Sequence, residues 1–190
     1  MTTLAVNDEC QSTYMCATIE EAPKKAPFWG RELVKGDTLL HLHCRRKSEF
    51  YGLRVLNVMR PELLDRLNSD GHSALWLALH LGLTDMAVAL LDKGVGEAEG
   101  ILTKRNERGW TALHYACYYH WDARVAERLL DKGADPNARS YGTLETPLHM
   151  ASYAGLMGQI HLLKERGADV EARTKEGETA ADMLNRMYGY

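Results

Sequence analysis

The chain has 190 residues, of which 45% are hydrophobic and 26% charged, with a formal net charge of −3. This balance is ordinary for one globular domain able to bury a core. It lacks the basic footprint of a nucleic-acid binder, and it contains no apolar run of about eighteen residues that would span a membrane.

Residues 1–35 come first and match nothing later in the chain. They lack a basic stretch followed by an apolar one, so they do not read as a secretory signal. Pro23, Pro27 and the pair Lys24-Lys25 suggest an extended arm. Phe28, Trp29, Leu33 and Val34 are candidates to dock on the domain that follows, with a free tail as the plain alternative. Of the four cysteines, Cys10, Cys16, Cys44 and Cys117, none forms a CxxC pair. Cys44 and Cys117 fall inside apolar helical patterns, where a free thiol behaves as a small hydrophobe. A Cys10–Cys16 bridge is conceivable, but the pattern favours free thiols in a reducing, cytoplasmic setting.

From residue 36 the chain repeats itself. A degenerate first unit opens as Gly36-Asp-Thr-Leu-Leu-His41. It continues through an irregular stretch with a predicted helix over residues 50–58 and another after Pro61. The second unit runs from Asn68 through Ser73-Ala-Leu-Trp-Leu-Ala78 to Leu90-Leu-Asp-Lys-Gly94. The third runs from Asn106 through Thr111-Ala-Leu-His-Tyr-Ala116 to Leu129-Leu-Asp-Lys-Gly133. The fourth carries Thr146-Pro-Leu-His-Met-Ala151 and ends in Gly167-Ala-Asp169, and a truncated fifth opens at Gly177-Glu-Thr-Ala-Ala-Asp182. Ser73, Thr111, Thr146 and Thr179 lie 38, 35 and 33 residues apart.

Within each unit two short apolar segments have helical spacing. Leu75, Leu113 and Leu148 mark the first helix, and Leu90-Leu91, Leu129-Leu130 and Leu162-Leu163 mark the second. Thr111 and Thr146 are N-cap candidates. Pro147 suits the first helical position, where no backbone donor is lost. Gly94, Gly133 and Gly167 suit left-handed helix ends. No helix pair is large enough to bury its apolar face alone, so neighbours must stack.

These motifs resemble the ankyrin-repeat family over about residues 36–186. The resemblance implies an all-α solenoid of helix–turn–helix units with hairpin fingers, four to five repeats including degenerate caps. It follows a non-repeat arm at 1–35 and occupies 36–190. Departures from the family pattern are informative. Trp76 stands where the motif histidine belongs, so that histidine's hydrogen bond between repeats should be missing there. His120 replaces the glycine between helices found at Gly82 and Gly155. Thr143, Leu144 and Glu145 lengthen one finger, and the segment from Gly94 to Asn106 is long.

Two clusters and one further histidine invite a chemical reading. His41-x-His43-Cys44 could suggest a metal, but His41 and His43 point to different faces of a helix, and His41 aligns with the motif histidine. His114, His120 and Cys117 could suggest a nucleophile and base, but His114 and Cys117 again sit at structural positions of the family, as does His149. No phosphate loop or nucleophile elbow is present. Catalysis, cofactors and metals are therefore not expected. The basic groups Arg45-Arg46-Lys47 and Lys104-Arg105 read as solvated faces.

The resemblance implies that a partner protein is bound by finger tips and by the exposed side of the first helices, along the concave face. Position by position this selects Asp70 and His72 in the second unit. Glu107, Arg108, Trp110, Tyr118 and Tyr119 follow in the third, and Tyr141, Leu144 and Tyr153 in the fourth. Aromatic and arginine side chains dominate binding hot spots, and an exposed aromatic cluster calls for a partner. The expected function is protein binding by a chain that is monomeric when free, without nucleic acid or membrane. It would act as a stoichiometric inhibitor, or as an immunity or counter-defence protein that occludes its partner. A scaffold with two binding surfaces is the alternative, and an enzyme or small-ligand binder a weaker third.

Overall fold

A computed structural model of the chain describes residues 36–59, 63–94, 103–119 and 122–189. The helices among them are α1 (Leu39–Arg45), α2 (Glu49–Val58), α3 (Ala74–Leu81), α4 (Thr84–Asp92) and α5 (Ala112–Tyr119), then α6 (Arg124–Asp131), α7 (Pro147–Tyr153), α8 (Met157–Glu165) and α9 (Ala180–Tyr188). No strand is present among the described residues; the fold is all-α, with one isolated antiparallel bridge from Arg173 to Thr179. The described residues fall into two compact units, divided between Leu90 and Leu91. In the first, α1 packs on α2 and α3; in the second, α5 packs on α6 and α7, and α7 on α8 and α9.

The motif histidines organise the starts of the first helices. His114 Nε2 lies 3.2 Å from the Glu145 carbonyl of the next repeat. A carbonyl only accepts, so Nε2 carries the proton and Nδ1 is the acceptor. Nδ1 receives the Thr111 N–H at 3.1 Å and the Thr111 hydroxyl at 2.9 Å. His41 repeats the arrangement with Thr38 and the His72 carbonyl, and His149 with Thr146 and the Glu178 carbonyl. All three rings are fully buried. The last repeat substitutes a carboxylate: Asp182 Oδ2 accepts the Thr179 N–H at 2.9 Å and its hydroxyl at 2.8 Å, and these bonds hold the carboxyl below its ordinary range. In α3 the cap is simpler, the Trp76 N–H donating to Ser73 Oγ at 3.1 Å.

Below these caps the leucines recur in register. Leu40, Leu75, Leu113 and Leu148 each stand two residues after the cap and are buried. Leu90, Leu129 and Leu163 each stand four residues before a left-handed glycine, Gly94, Gly133 and Gly167. Each such leucine stabilises by roughly 1.5–3 kcal/mol. The Leu-Leu pairs are unequal: Leu130 and Leu162 are only half-buried. Pro147 occupies the start of α7 as expected.

The fingers have their own recurring device. Asn106 Oδ1 accepts the N–H groups of Arg108 and Trp110, both at 2.9 Å, and Asn68 does the same for Asp70 and His72 at 3.0 Å. In the second unit fingers also join through their backbones: the Tyr141 N–H donates to the Arg108 carbonyl at 2.8 Å, and the Lys175 N–H to the Thr143 carbonyl at 2.9 Å. The insertion Thr143-Leu144-Glu145 is accommodated by Ser140, whose Oγ accepts the Glu145 N–H at 3.0 Å. Leu144 then adopts φ +58°, a left-handed conformation that costs a non-glycine residue about 1–2 kcal/mol.

Residues 63–65 make a short turn, while Pro61 lies outside the described residues. The arm at 1–35 with Cys10 and Cys16, the central part of the Gly94–Asn106 segment, His120 and Trp121 likewise lie outside them.

Burial lowers the affinity of His114 for a proton to a pKa of about 4 and lowers those of His41 and His149 as well. The unfolded chain takes up these protons near the ordinary value of about 6.5. Stability is therefore whole above pH 6.5 and is lost as pH falls toward 4, by about 1.4 kcal/mol per pH unit for each histidine that stays neutral when folded. Urea titrations at stepped pH between 6.5 and 5 should show this slope. His114→Gln should reduce it while lowering stability at every pH.

Candidate functional site

In the second unit, α5 and the finger before it bring several of the selected residues together. Trp110 leads into α5 and Tyr118 stands near its end; their ring centroids are 5.5 Å apart. Tyr153, at the end of α7, stacks on Tyr118 at 5.9 Å and 19°. Tyr119 meets Tyr118 edge-on at 4.7 Å. The result is one continuous aromatic run across two repeats. Its members differ in exposure: Tyr153 is 42% and Tyr119 41% exposed, whereas Trp110 and Tyr118 are half-buried. Trp110 is wedged edge-on against Tyr115 at 5.5 Å, and Tyr115 is buried with its hydroxyl accepting from Asn106 Nδ2 at 2.8 Å. Burial, then neighbouring Tyr153 and Tyr119, push the Tyr118 hydroxyl up, so it remains a protonated donor.

Tyr141 does not join this run. It is 58% exposed and covers Gly109 instead, with the Arg105 guanidinium 5.8 Å from its ring centroid. Arg108 is exposed with its guanidinium 6.0 Å from the Trp110 ring. Glu107 is exposed beside it, and Leu144 projects from the finger tip at 39% exposure. Lower on the same side, the Tyr188 hydroxyl donates to the Tyr153 carbonyl at 3.2 Å, and its ring closes over Gly155.

Asp70 and His72, from the second repeat, belong to the first compact unit and form a surface there. His72, Trp76 and His80 stack in a column, 3.8 Å and 5.0 Å between successive centroids. Trp76 and His80 lie four residues apart on one face of α3, and His72 joins them from the finger that precedes the helix. Arg45 reaches Asp37 at 3.2 Å and Asp70 at 3.6 Å. The column, Arg45 and Asp70, with Arg46, Leu42, Leu77 and Leu81, line an open groove. Trp76 stands out from sequence only as a missing histidine; its place in the column is visible in the 72-76-80 spacing.

The chemistry-bearing clusters resolve differently. Both nitrogens of His114 are engaged in the cap. Cys117 is fully buried and its thiol is pushed up by burial; Cys44 is likewise pushed up to about 12. Neither offers a thiolate near neutral pH. Among the described residues no group of three histidine, cysteine or acidic side chains is placed to hold a metal, and no helix is long and apolar enough to cross a membrane.

Sequence reasoning missed a row of arginines. Arg105, Arg139 and Arg173 recur at a spacing of 34 residues, and each reaches a finger carbonyl: Arg105 that of Gly109 at 3.0 Å and that of Arg139, Arg139 that of Arg173 at 3.5 Å, Arg173 that of Gly177 at 2.7 Å.

Stacked helix pairs, αL glycines closing the second helices and capped threonines joined by buried imidazoles together define a repeat protein. The chain belongs to the ankyrin-repeat family: the family model described as ankyrin repeats (3 copies) matches residues 56–140 and 97–174. Among curated proteins it is 31% identical to NF-kappa-B inhibitor alpha of Sus scrofa over 162 residues, covering 81% of this chain and 50% of that protein. It is 34% identical to human NF-kappa-B inhibitor epsilon over 147 residues, 73% of this chain and 28% of that protein. It is 41% identical to human ankyrin repeat and SOCS box protein 16 over 85 residues, 45% of this chain and 18% of that protein. The chain thus spans about half the length of NF-kappa-B inhibitor alpha, and less of the others.

Gly109 ties the finger to this surface. It holds φ +78°, and a Cβ there would lie 2.7 Å from Tyr141 Cγ. Gly109→Ala should lower stability by about 2 kcal/mol or more, from backbone strain and overpacking together. Chemical denaturation of the purified variant checks this.

Proposed function

We propose that this chain is a stoichiometric inhibitor that binds another protein through the aromatic face of α5 and α7 and the adjoining fingers, and acts by covering its partner's working surface. The observation that carries this reading is the Trp110–Tyr118–Tyr153 run. It is a contiguous row of large aromatics, and Tyr153 and Tyr119 keep about two-fifths of their surface exposed. Aromatic rings of this kind, partly ordered before binding, lose little entropy when covered and make effective hot spots. Arg108 and Glu107 supply a charged rim.

The inhibitor reading is supported by the names of the relatives, two of which are inhibitors of NF-kappa-B. An NF-kappa-B protein is therefore the first partner to test. The buried, unbridged thiols Cys44 and Cys117 suit a reducing cytoplasm, and the chain is read as a monomer when free. The groove of the first unit, with its His72–Trp76–His80 column, supports the scaffold alternative by offering a second surface.

Binding of purified chain to NF-kappa-B and to proteins captured from lysate should be compared with that of a Trp110→Ala, Tyr118→Ala, Tyr153→Ala variant of unchanged helical content. The variant should bind about a hundredfold more weakly or worse, the loss expected when two or more hot-spot residues are truncated. A Trp76→Ala variant should keep the same partner. Equal binding by the aromatic variant would overturn the face. A complex whose partner keeps its full activity would overturn inhibition and leave the scaffold.

A further inference from the structure

Two sets of arginines in the second compact unit are treated differently by the fold. On the second helices each is neutralised by a carboxylate. Arg128 Nε lies 2.8 Å from Asp92, and Arg166 Nη1 2.7 Å from Asp131. The finger arginines Arg105, Arg139 and Arg173 are exposed. Their hydrogen bonds go to backbone carbonyls, and none has an ion-pair partner among the described residues. A carbonyl takes up a donor of a guanidinium without opposing its unit charge; Asp182 is near enough to feel the charge of Arg173, and the remaining donors belong to a planar fork suited to carboxylates. Three such groups stand in register because each reaches the finger of its own repeat or the next. Aromatic surface adjoins the row at Tyr141, against which Arg105 lies.

We infer that this row reads an extended acidic segment of the bound protein, with carboxylates at every third residue, laid along the fingers. The inference rests on the protein-binding reading above and adds the chemistry of what is bound. Its spacing follows from geometry. Stacked repeats are separated by about the 8–10 Å of packed helix axes. An extended chain in the polyproline-II conformation advances about 3.1 Å per residue with three residues per turn, so three residues, roughly 9 Å, carry one acidic side chain from one arginine to the next on the same face. Carboxylates at alternate residues would fall out of step. Glu107, Glu145 and Glu176 are interspersed along the same fingers. They would repel the unbroken charge of a polyphosphate strand while leaving gaps for sparse carboxylates, which favours a peptide over a nucleic acid.

The test uses the full chain and fluorescence anisotropy with short labelled peptides bearing aspartate at every third position, aspartate at every second position, or asparagine throughout. The every-third peptide should bind most tightly, and its affinity should fall with added salt. Replacing Arg105, Arg139 and Arg173 together by Gln should weaken it about tenfold, the sum expected of three exposed ion pairs. Because each guanidinium also supports a finger, the triple lysine variant is run beside it; it keeps the charges without the planar fork and should bind more weakly than wild type but more tightly than the Gln variant. Equal affinity for all three peptides, or no loss in the Gln variant, would overturn the inference. So would a labelled oligothymidylate that displaces the every-third peptide and binds more tightly, which would make the row a polyanion site. The two readings part in one further measurement. A partner lost by the Trp110, Tyr118, Tyr153 variant but retained by the Gln variant, with no peptide bound, leaves the aromatic face standing and removes this inference.

Discussion

The imidazole that joins one repeat to the next is the interaction on which the rest of this structure depends. A single buried ring accepts twice from the threonine that starts its own helix and donates once to the last finger carbonyl of the following repeat. Three hydrogen bonds on a planar group define helix start and finger end together. A neutral tautomer is the only form that satisfies them, since a second ring proton would face two donors. The bond does not merely stabilise the stack. It places Glu145 and Glu178, and with them the fingers that end there, relative to the helices carrying the aromatic face. Asp182 performs the accepting half of the task in the last repeat, where the carboxylate, unlike the ring, donates nothing.

Much of this is legible in the sequence because it obeys local rules. A threonine three residues before a histidine, proline at the first helical position and glycine at each helix end are tests that a few residues pass or fail by themselves. Their recurrence at a nearly constant period carries the fold. The surface is less legible because exposure is set by the neighbouring repeat. Trp110 and Tyr118 occupy positions that family pattern makes variable and outward-facing, yet Tyr115, Tyr119 and Tyr153 crowd them into half-burial. Tyr115 and Tyr119 belong to the same repeat, but Tyr153 comes from the next, and nothing within one repeat foretells its contact. The same holds for Leu130 and Leu162, which match their neighbours in composition but face partly outward. The finger arginines could have been found from their regular spacing of 34 residues. Short basic runs attract attention by local density, and this row is sparse in sequence and dense only in space.

The electrostatics of the second unit are divided by element. Ion pairs between second helices are exposed, and each contributes no more than about 1 kcal/mol; their effect is to leave that face with little net field. The fingers, built from carbonyl contacts, keep their charge. On a protein with a net charge of only −3, the fingers thus present a row of mixed sign, Arg105, Arg139 and Arg173 with Glu107, Glu145 and Glu176 between them, which can select a partner of complementary pattern.

The joining of fingers in the second unit has one more consequence. Their register is set by main-chain atoms, the Tyr141 N–H on the Arg108 carbonyl and the Lys175 N–H on the Thr143 carbonyl. Any residue but proline supplies the same donor, and every residue supplies the acceptor. The side chains at Glu107, Arg108, Tyr141, Leu144 and Lys175 are therefore released from holding the architecture together. Such a surface can be rewritten by successive single substitutions without unfolding the scaffold, and its evolutionary drift from one partner to another would meet selection for recognition alone.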